Sequence, residues 1–172
     1  LMVTADQIAA AVTDRTKLVL LCSPNNPTGT AISEGELVDF LERVPSHVLV
    51  VLDEAYREFV GERAPDVVQL IGSQYQNLCL LRTFSKAYGL AGLRVGYAIA
   101  SVEIATGLRK TQLPFSVSNV AESAAVAALD SADEVGERVT TVIAERERLL
   151  RSIRELGWVT PDSAANFVWL RC

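Results

Sequence analysis

The sequence has no run of basic residues, no apolar stretch of membrane length and a single histidine. Lysine and arginine number 16 against 21 aspartates and glutamates, for a net charge of −5. An acidic chain without a basic cluster is excluded as an electrostatic binder of nucleic acid or of an anionic membrane. A membrane helix needs roughly 18 consecutive apolar residues, and no run approaches that length. His47 precedes a strand-like run and reads as a surface or turn residue, not a catalytic one. The three cysteines are scattered, and Cys22 and Cys79 lie in apolar runs. Cys22, Cys79 and Cys172 are expected to be free thiols of a reducing cytoplasm, with no disulfide and no metal site. There is no internal repeat and no low-complexity tract.

What is present is a chain of 172 residues, 49% hydrophobic and 22% charged, enough for one globular core. Leu1 is not an initiator, and 166–170 reads as a strand in mid-course. The chain is therefore expected to be an internal piece of a longer protein.

Periodicity and punctuation predict alternating strands and helices. Thr4 caps a helix over 5–12. Residues 17–22, 48–52 and 78–81 are short apolar runs of the kind that form buried parallel strands, and 94–100 is a fourth strand. Ser33 and Glu36 form a capping box that opens a helix to about 43. A short helix is expected at 66–73, and longer ones at 102–110 and 118–130. Val135, Val139, Val142, Ile143, Leu149, Leu150, Ile153 and Leu156 keep a period of three and four, predicting a helix over 135–156 that Gly157 ends. The charged residues within it read as its solvated face. Residues 158–172 read as the start of a smaller unit with Trp158 and Trp169 in its core. This alternation predicts an α/β layered fold with a mostly parallel sheet. Ligands of such sheets bind beyond the carboxyl ends of strands, where Asn25-Asn26, Asp53 and Lys86 all fall.

The segment Arg82-Thr83-Phe84-Ser85-Lys86-Ala87-Tyr88-Gly89-Leu90-Ala91-Gly92-Leu93-Arg94-Val95-Gly96 carries the most chemistry. Lys86 sits beside hydroxyls and is followed eight residues later by Arg94, with glycines between. An amine that must form a Schiff base beside a bound phosphate needs such neighbours: hydroxyls and a guanidinium for the phosphate, and glycines where backbone approaches it. Partial burial beside a cation would also lower the amine's pKa. The chemistry indicated is that of pyridoxal 5′-phosphate (PLP), with Lys86 as covalent anchor. Asp53 is either a helix cap or the carboxylate that keeps a pyridine nitrogen protonated, with Tyr56 three residues on as a donor to the ring oxygen. Ser23-Pro24-Asn25-Asn26-Pro27-Thr28-Gly29-Thr30 is either a plain turn or a stiffened loop presenting an amide.

With these three motifs in order and at their spacing, the chain resembles the fold-type-I PLP-dependent aminotransferases of class I/II, in particular the histidinol-phosphate and aromatic amino acid aminotransferases. The resemblance runs through Ala165-Asn166-Phe167-Val168-Trp169. It implies a three-layer α/β fold whose four strands are contiguous, with the one ending near Ala100 antiparallel. It implies that 1–134 belongs to the large PLP-binding domain and 135–172 to a connecting helix and the start of the small C-terminal domain. Lys86 resembles the Schiff-base lysine that also moves the substrate's proton. Asp53 resembles the pyridinium partner, and Asn26 and Tyr56 the donors to the phenolic oxygen O3′. Thr83, Ser85 and Arg94 resemble part of the phosphate cup, and Asn166 a substrate contact. The implied activity is amino transfer between an aromatic or imidazole-bearing amino acid and a 2-oxo acid, by a cytoplasmic homodimer without metal. Pro114-Phe115-Ser116-Val117-Ser118 and Asn166-Phe167-Val168-Trp169-Leu170 lie closer to the aromatic branch than to the histidinol-phosphate branch. A PLP-dependent decarboxylase and a non-catalytic aminotransferase-like regulator domain are the alternatives on the same scaffold. The isolated piece is expected to be inactive.

Overall fold

The computed structural model describes residues 4–71 and 74–171. Cys172, where a free thiol was expected, and Ser73, the expected end of a short helix, lie outside the described residues.

The chain opens with α1 (Ala5–Ala11), whose N-terminus is closed by a capping box between Thr4 and Gln7. Strand β1 (Leu18–Cys22) follows, then α2 (Glu34–Arg43), which starts at the Ser33–Glu36 capping box read from sequence. Strands β2 (Leu49–Asp53) and β3 (Leu78–Thr83) run parallel to β1, and β4 (Gly96–Ala100) returns antiparallel along β3. The sheet order is β1-β2-β3-β4, as the resemblance implied. Beyond it come α3 (Val102–Thr111), α4 (Asn119–Asp130) and α5 (Ala132–Glu155). Short 3₁₀ turns occupy Arg57–Arg63, Val67–Leu70 and Ala91–Leu93. The second is the short helix expected at 66–73, confined to a single 3₁₀ turn.

Register fixes the faces of the sheet. Val19 pairs with Val50 and Leu21 with Leu52, and these continue to Leu78 and Leu80. Side chains alternate along a strand, so these six share one face. There they meet Leu37, Phe40 and Leu41 of α2, each at most 3% exposed. Burial of such side chains contributes about 1.5–3 kcal/mol each. The other face of β1 is open: Leu18 is 49% exposed and Leu20 70%. The sequence run looked buried on both sides, but burial on the second face reaches only the inner strands, where Val51 and Cys79, in register with Leu20, are 9% and 2% exposed, and stops at the edge strand β1.

Helix α5 begins three residues earlier than the apolar pattern suggests, because Asp133 and Glu134 favour the first turn of a helix. Its buried residues are Val135, Val139, Arg146 and Leu150. Arg146 was expected on the solvated face, yet it is 7% exposed. The spacing explains this: with Ile143, these residues recur every three or four positions and form one stripe. Two other expectations fail beyond α5. Trp158 is 48% exposed, not core, and Trp169 is half-buried. Residues 166–170 form no strand, since none of the described strands pairs with them. A strand requires a neighbour for its ladder. His47 is exposed in a turn, as read from sequence. No helix among the described residues is long and apolar enough to cross a membrane.

Candidate active site

The chemistry-bearing residues collect at the carboxyl ends of β2 and β3. Asp53 pairs in register with Leu81, and Thr83 lies two positions further along β3. The alternation of the strand puts all three on the face opposite the Leu52 and Leu80 core. Asp53, Thr83, Ser85, Lys86 and Arg94 line a common cavity of about 310 Å3. Asp53 Oδ1 accepts the Ala55 N–H at 2.9 Å, which leaves Oδ2 for a ligand. Thr83 Oγ1 accepts the Ser85 N–H at 3.1 Å and so ties the two hydroxyl residues together. Phe84 between them is 5% exposed and packs against Tyr88 and Tyr97, at ring distances of 5.0 and 5.7 Å. That anchor holds the lysine bend.

Lys86 is exposed, where sequence reading expected partial burial. Its cover is the ring of Tyr56, with Nζ 5.2 Å from the ring centroid, a cation–π contact. Arg94 is exposed and left-handed, with φ 53° and ψ 46°, and Nη1 donates to the Ala91 carbonyl at 2.8 Å. A non-glycine residue pays about 1–2 kcal/mol for that conformation, and retained outliers of this kind cluster at ligand sites. Gly96 lies opposite Thr83, where a Cβ would meet the Arg82 carbonyl at 2.7 Å, so only glycine fits this strand crossing.

Asn26 and Tyr56 do not line this cavity; Tyr56 is connected to it through Lys86, whose ammonium lies over its ring. The loop 23–30 is braced internally: Gly29 N–H donates to the Asn25 carbonyl at 2.7 Å, and Asn25 Nδ2 to Thr28 Oγ1 at 2.8 Å. Asn25 is thus occupied within the loop, while Asn26 Nδ2 reaches out to Tyr56 Oη at 3.1 Å. Tyr56 is 5% exposed and takes the edge of Phe167 at 5.2 Å and an interplanar angle of 89°. The 163–167 segment returns to the loop as well, since Ala164 N–H donates to the Gly29 carbonyl at 2.7 Å. Gly29 has φ +78°, and an added Cβ would lie 2.3 Å from Ser163 Oγ. Gly29→Ala is therefore expected to lower unfolding stability by about 1–3 kcal/mol. Chemical denaturation measures this, and wild-type stability would contradict the docking described. Asn166 is exposed and does not line the cavity; it stands one residue from Phe167.

On the other face, beneath the strand ends, Glu54 is 3% exposed and accepts from Arg82 Nε at 2.8 Å. Burial works against the Arg82 charge, but Glu54 and Tyr97 together outweigh it and raise the guanidinium's pKa. Burial pushes the Glu58 carboxyl up. It does the same to the Cys22 thiol, against an opposing hydrogen bond from the Asn26 backbone. Cys22 and Cys79 are free, and among the described residues no cluster of histidine, cysteine and carboxylates could hold a metal.

Sequence reasoning missed Phe167, Ser163 and Arg146. The apolar stripe of α5 would have exposed Arg146, had its position in the register been weighed above its charge. Ser163 and Phe167 carried no sequence signal of their own contacts.

The aminotransferase class I and II family description matches residues 2–172. The aromatic amino acid aminotransferase of Streptomyces avermitilis is 57% identical over 167 residues, covering 96% of this chain and 46% of that protein. The protein of the same name from Streptomyces coelicolor is 56% identical over 167 residues, with the same coverage of both chains. The histidinol-phosphate aminotransferase of Sinorhizobium meliloti, solved with pyridoxal-5′-phosphate, superposes with a TM-score of 0.88 at 34% identity. That match covers 95% of this chain and 45% of the other. The chain spans about half the length of the curated relatives it matches.

Proposed function

Because the chain belongs to the aminotransferase class I and II family, we propose that the full-length protein is a PLP-dependent aminotransferase that moves an amino group between an aromatic amino acid and a 2-oxo acid. The observation that carries the proposal is the single cavity lined by an amine, a carboxylate, two hydroxyls and a left-handed arginine.

That donor set fits PLP. Thr83 and Ser85 supply hydroxyls for a phosphate. Arg94 spends one N–H on the Ala91 carbonyl and keeps others for a charge-assisted pair. Asp53 Oδ2 can hold the proton of a ring nitrogen. When bound, PLP supplies an aldehyde that joins amines and a ring that withdraws electrons from the substrate's Cα. Lys86 would be the amine that holds the cofactor and, once freed, the base that takes the substrate's Cα proton. Tyr56 Oη accepts from Asn26, so its own O–H stays free to donate to the ring oxygen O3′, beside the remaining N–H of the Asn26 amide. Asn166 is the proposed substrate contact.

Arg94→Gln removes the guanidinium and is expected to weaken cofactor binding about 10- to 100-fold. Equilibrium dialysis of the apo form reads this directly, and wild-type affinity would remove Arg94 from the phosphate cup.

The proposed division is a large PLP-binding part, 1–134, and a connecting helix with the start of a small domain, 135–172; α5, which begins at Ala132, is that connecting helix and starts three residues before the boundary. The exposed apolar residues Leu113, Phe115 and Val120 support a homodimer. The free thiols support a cytoplasmic location. The test of function is turnover of phenylalanine against histidinol phosphate, each with a 2-oxo acid acceptor. The proposal expects phenylalanine to be preferred by about tenfold or more in kcat/KM. The reverse order would assign histidinol phosphate, in line with the Sinorhizobium neighbour. Release of CO₂ without a keto acid would assign a decarboxylase, and bound cofactor without turnover a regulator.

A further inference from the structure

We propose that Arg146 is a positioning residue of this site, fastening the two backbone segments that bring Phe167 against Tyr56. The inference rests on the reading of the cavity as a cofactor site. It starts from a charge in an apolar stripe: Arg146 occupies the face of α5 that also carries Val139 and Leu150, and its side chain is 6% exposed. Its Nη1 donates to two carbonyls, Phe59 and Ala165, each at 3.0 Å. Nε and Nη2 go to Glu147 Oε1 at 3.3 and 3.0 Å. All three guanidinium nitrogens are therefore used, as a buried charge requires.

The two carbonyls are the reason to assign more than packing. Phe59 N–H donates to the Tyr56 carbonyl at 3.0 Å, so Phe59 closes the turn that Tyr56 opens. Ala165 is wholly buried and stands two residues before Phe167. One nitrogen thus ties the backbone three residues after Tyr56 to the backbone two residues before Phe167. Ser163 Oγ completes the frame by donating to the Phe167 carbonyl at 2.6 Å. For stability alone an apolar side chain would serve this stripe as well, because replacing a buried charge by a hydrophobic residue of similar volume is often neutral or favourable. A methionine there could not join two carbonyls. The ring of Tyr56 in turn receives Asn26 on its hydroxyl and Lys86 over its face. Loss of Arg146 frees the 165–167 segment, lets the Tyr56 ring shift and misplaces the hydroxyl that donates to O3′. A hydrogen bond to a charged oxygen keeps its proton affinity low, so the pH midpoint of the lysine-linked cofactor's visible band should rise.

The experiment uses the full-length protein. Arg146→Gln is expected to raise that midpoint by about one pH unit and to weaken cofactor binding to the apo form, measured by dialysis, by about tenfold. Arg146→Lys, which cannot bridge both carbonyls with a planar fork, should fall between. Phe167→Leu leaves the guanidinium bonds in place and should reproduce the midpoint shift, which keeps the test decisive if Arg146→Gln fails to fold. Leu41→Ala in the sheet core is the control: it lowers the melting temperature and leaves midpoint and affinity unchanged. The proposal is overturned if Phe167→Leu or a folded Arg146→Gln keeps the wild-type midpoint, or if Leu41→Ala moves it equally. A wild-type protein with no lysine-linked band would remove the cofactor reading itself, a distinct result.

Discussion

Lys86→Ala in the full-length protein is expected to abolish the visible band of the lysine-linked cofactor and to lower amino transfer on the order of 10⁴-fold or more, the scale on which loss of a covalent catalytic group is felt. The fold should barely notice. Lys86 is exposed; its ammonium lies over the face of Tyr56, and its carbonyl, which the substitution keeps, accepts the Gly89 N–H at 3.0 Å. A cation–π contact at an exposed site contributes about 0.5–1 kcal/mol, so the melting temperature should move little. This separation of activity from stability is the signature of a residue kept for chemistry. Lys86→Arg keeps the positive charge and cannot form the covalent link, so it should be as inactive as alanine. Turnover near wild type in either variant would place the anchor elsewhere.

Asp53→Asn is the second large effect. The substitution keeps an acceptor for the Ala55 N–H, which Asp53 Oδ1 now receives at 2.9 Å. It removes only the negative charge. If Asp53 served as a turn cap alone, activity would survive. If it holds a proton on the cofactor's ring nitrogen, kcat should fall on the order of 10²–10³-fold, as when one aimed electrostatic partner is removed from other active sites, while Lys86 still binds the cofactor. Steady-state turnover and the visible band, measured on the same preparation, distinguish the two.

How far the sequence carried can be seen residue by residue. Thr4 and the Ser33–Glu36 pair announce helix starts locally, through hydrogen bonds spanning three residues, and the structure places both helices there. The strands were legible because 17–22, 48–52 and 78–81 are apolar runs between turn formers. The antiparallel direction of β4 came only with the family resemblance, because pairing direction is a tertiary property. The openness of β1 was hidden for a similar reason: Leu18 and Leu20 look like core until the edge position of their strand is known. In the site, Lys86 and Arg94 could be named because an amine and a guanidinium stand eight residues apart among hydroxyls and glycines, while Asp53 stayed open between a cap and a ring partner until the resemblance assigned it. The 163–167 segment could not. Its contacts to Gly29, Tyr56 and Arg146 span more than a hundred residues in two of three cases, and no local pattern encodes them. Arg146 was misread because arginine is nearly always solvated, and only its place in the α5 stripe contradicts that rule.

Borohydride reduction of the full-length protein incubated with PLP, followed by peptide mapping, tests the central claim most directly, since reduction fixes a carbon–nitrogen double bond as a stable amine. The account predicts the label on the peptide that contains Thr83, Ser85 and Lys86, with Lys86 as the modified residue. A label on another lysine, or an unlabelled protein, would contradict it.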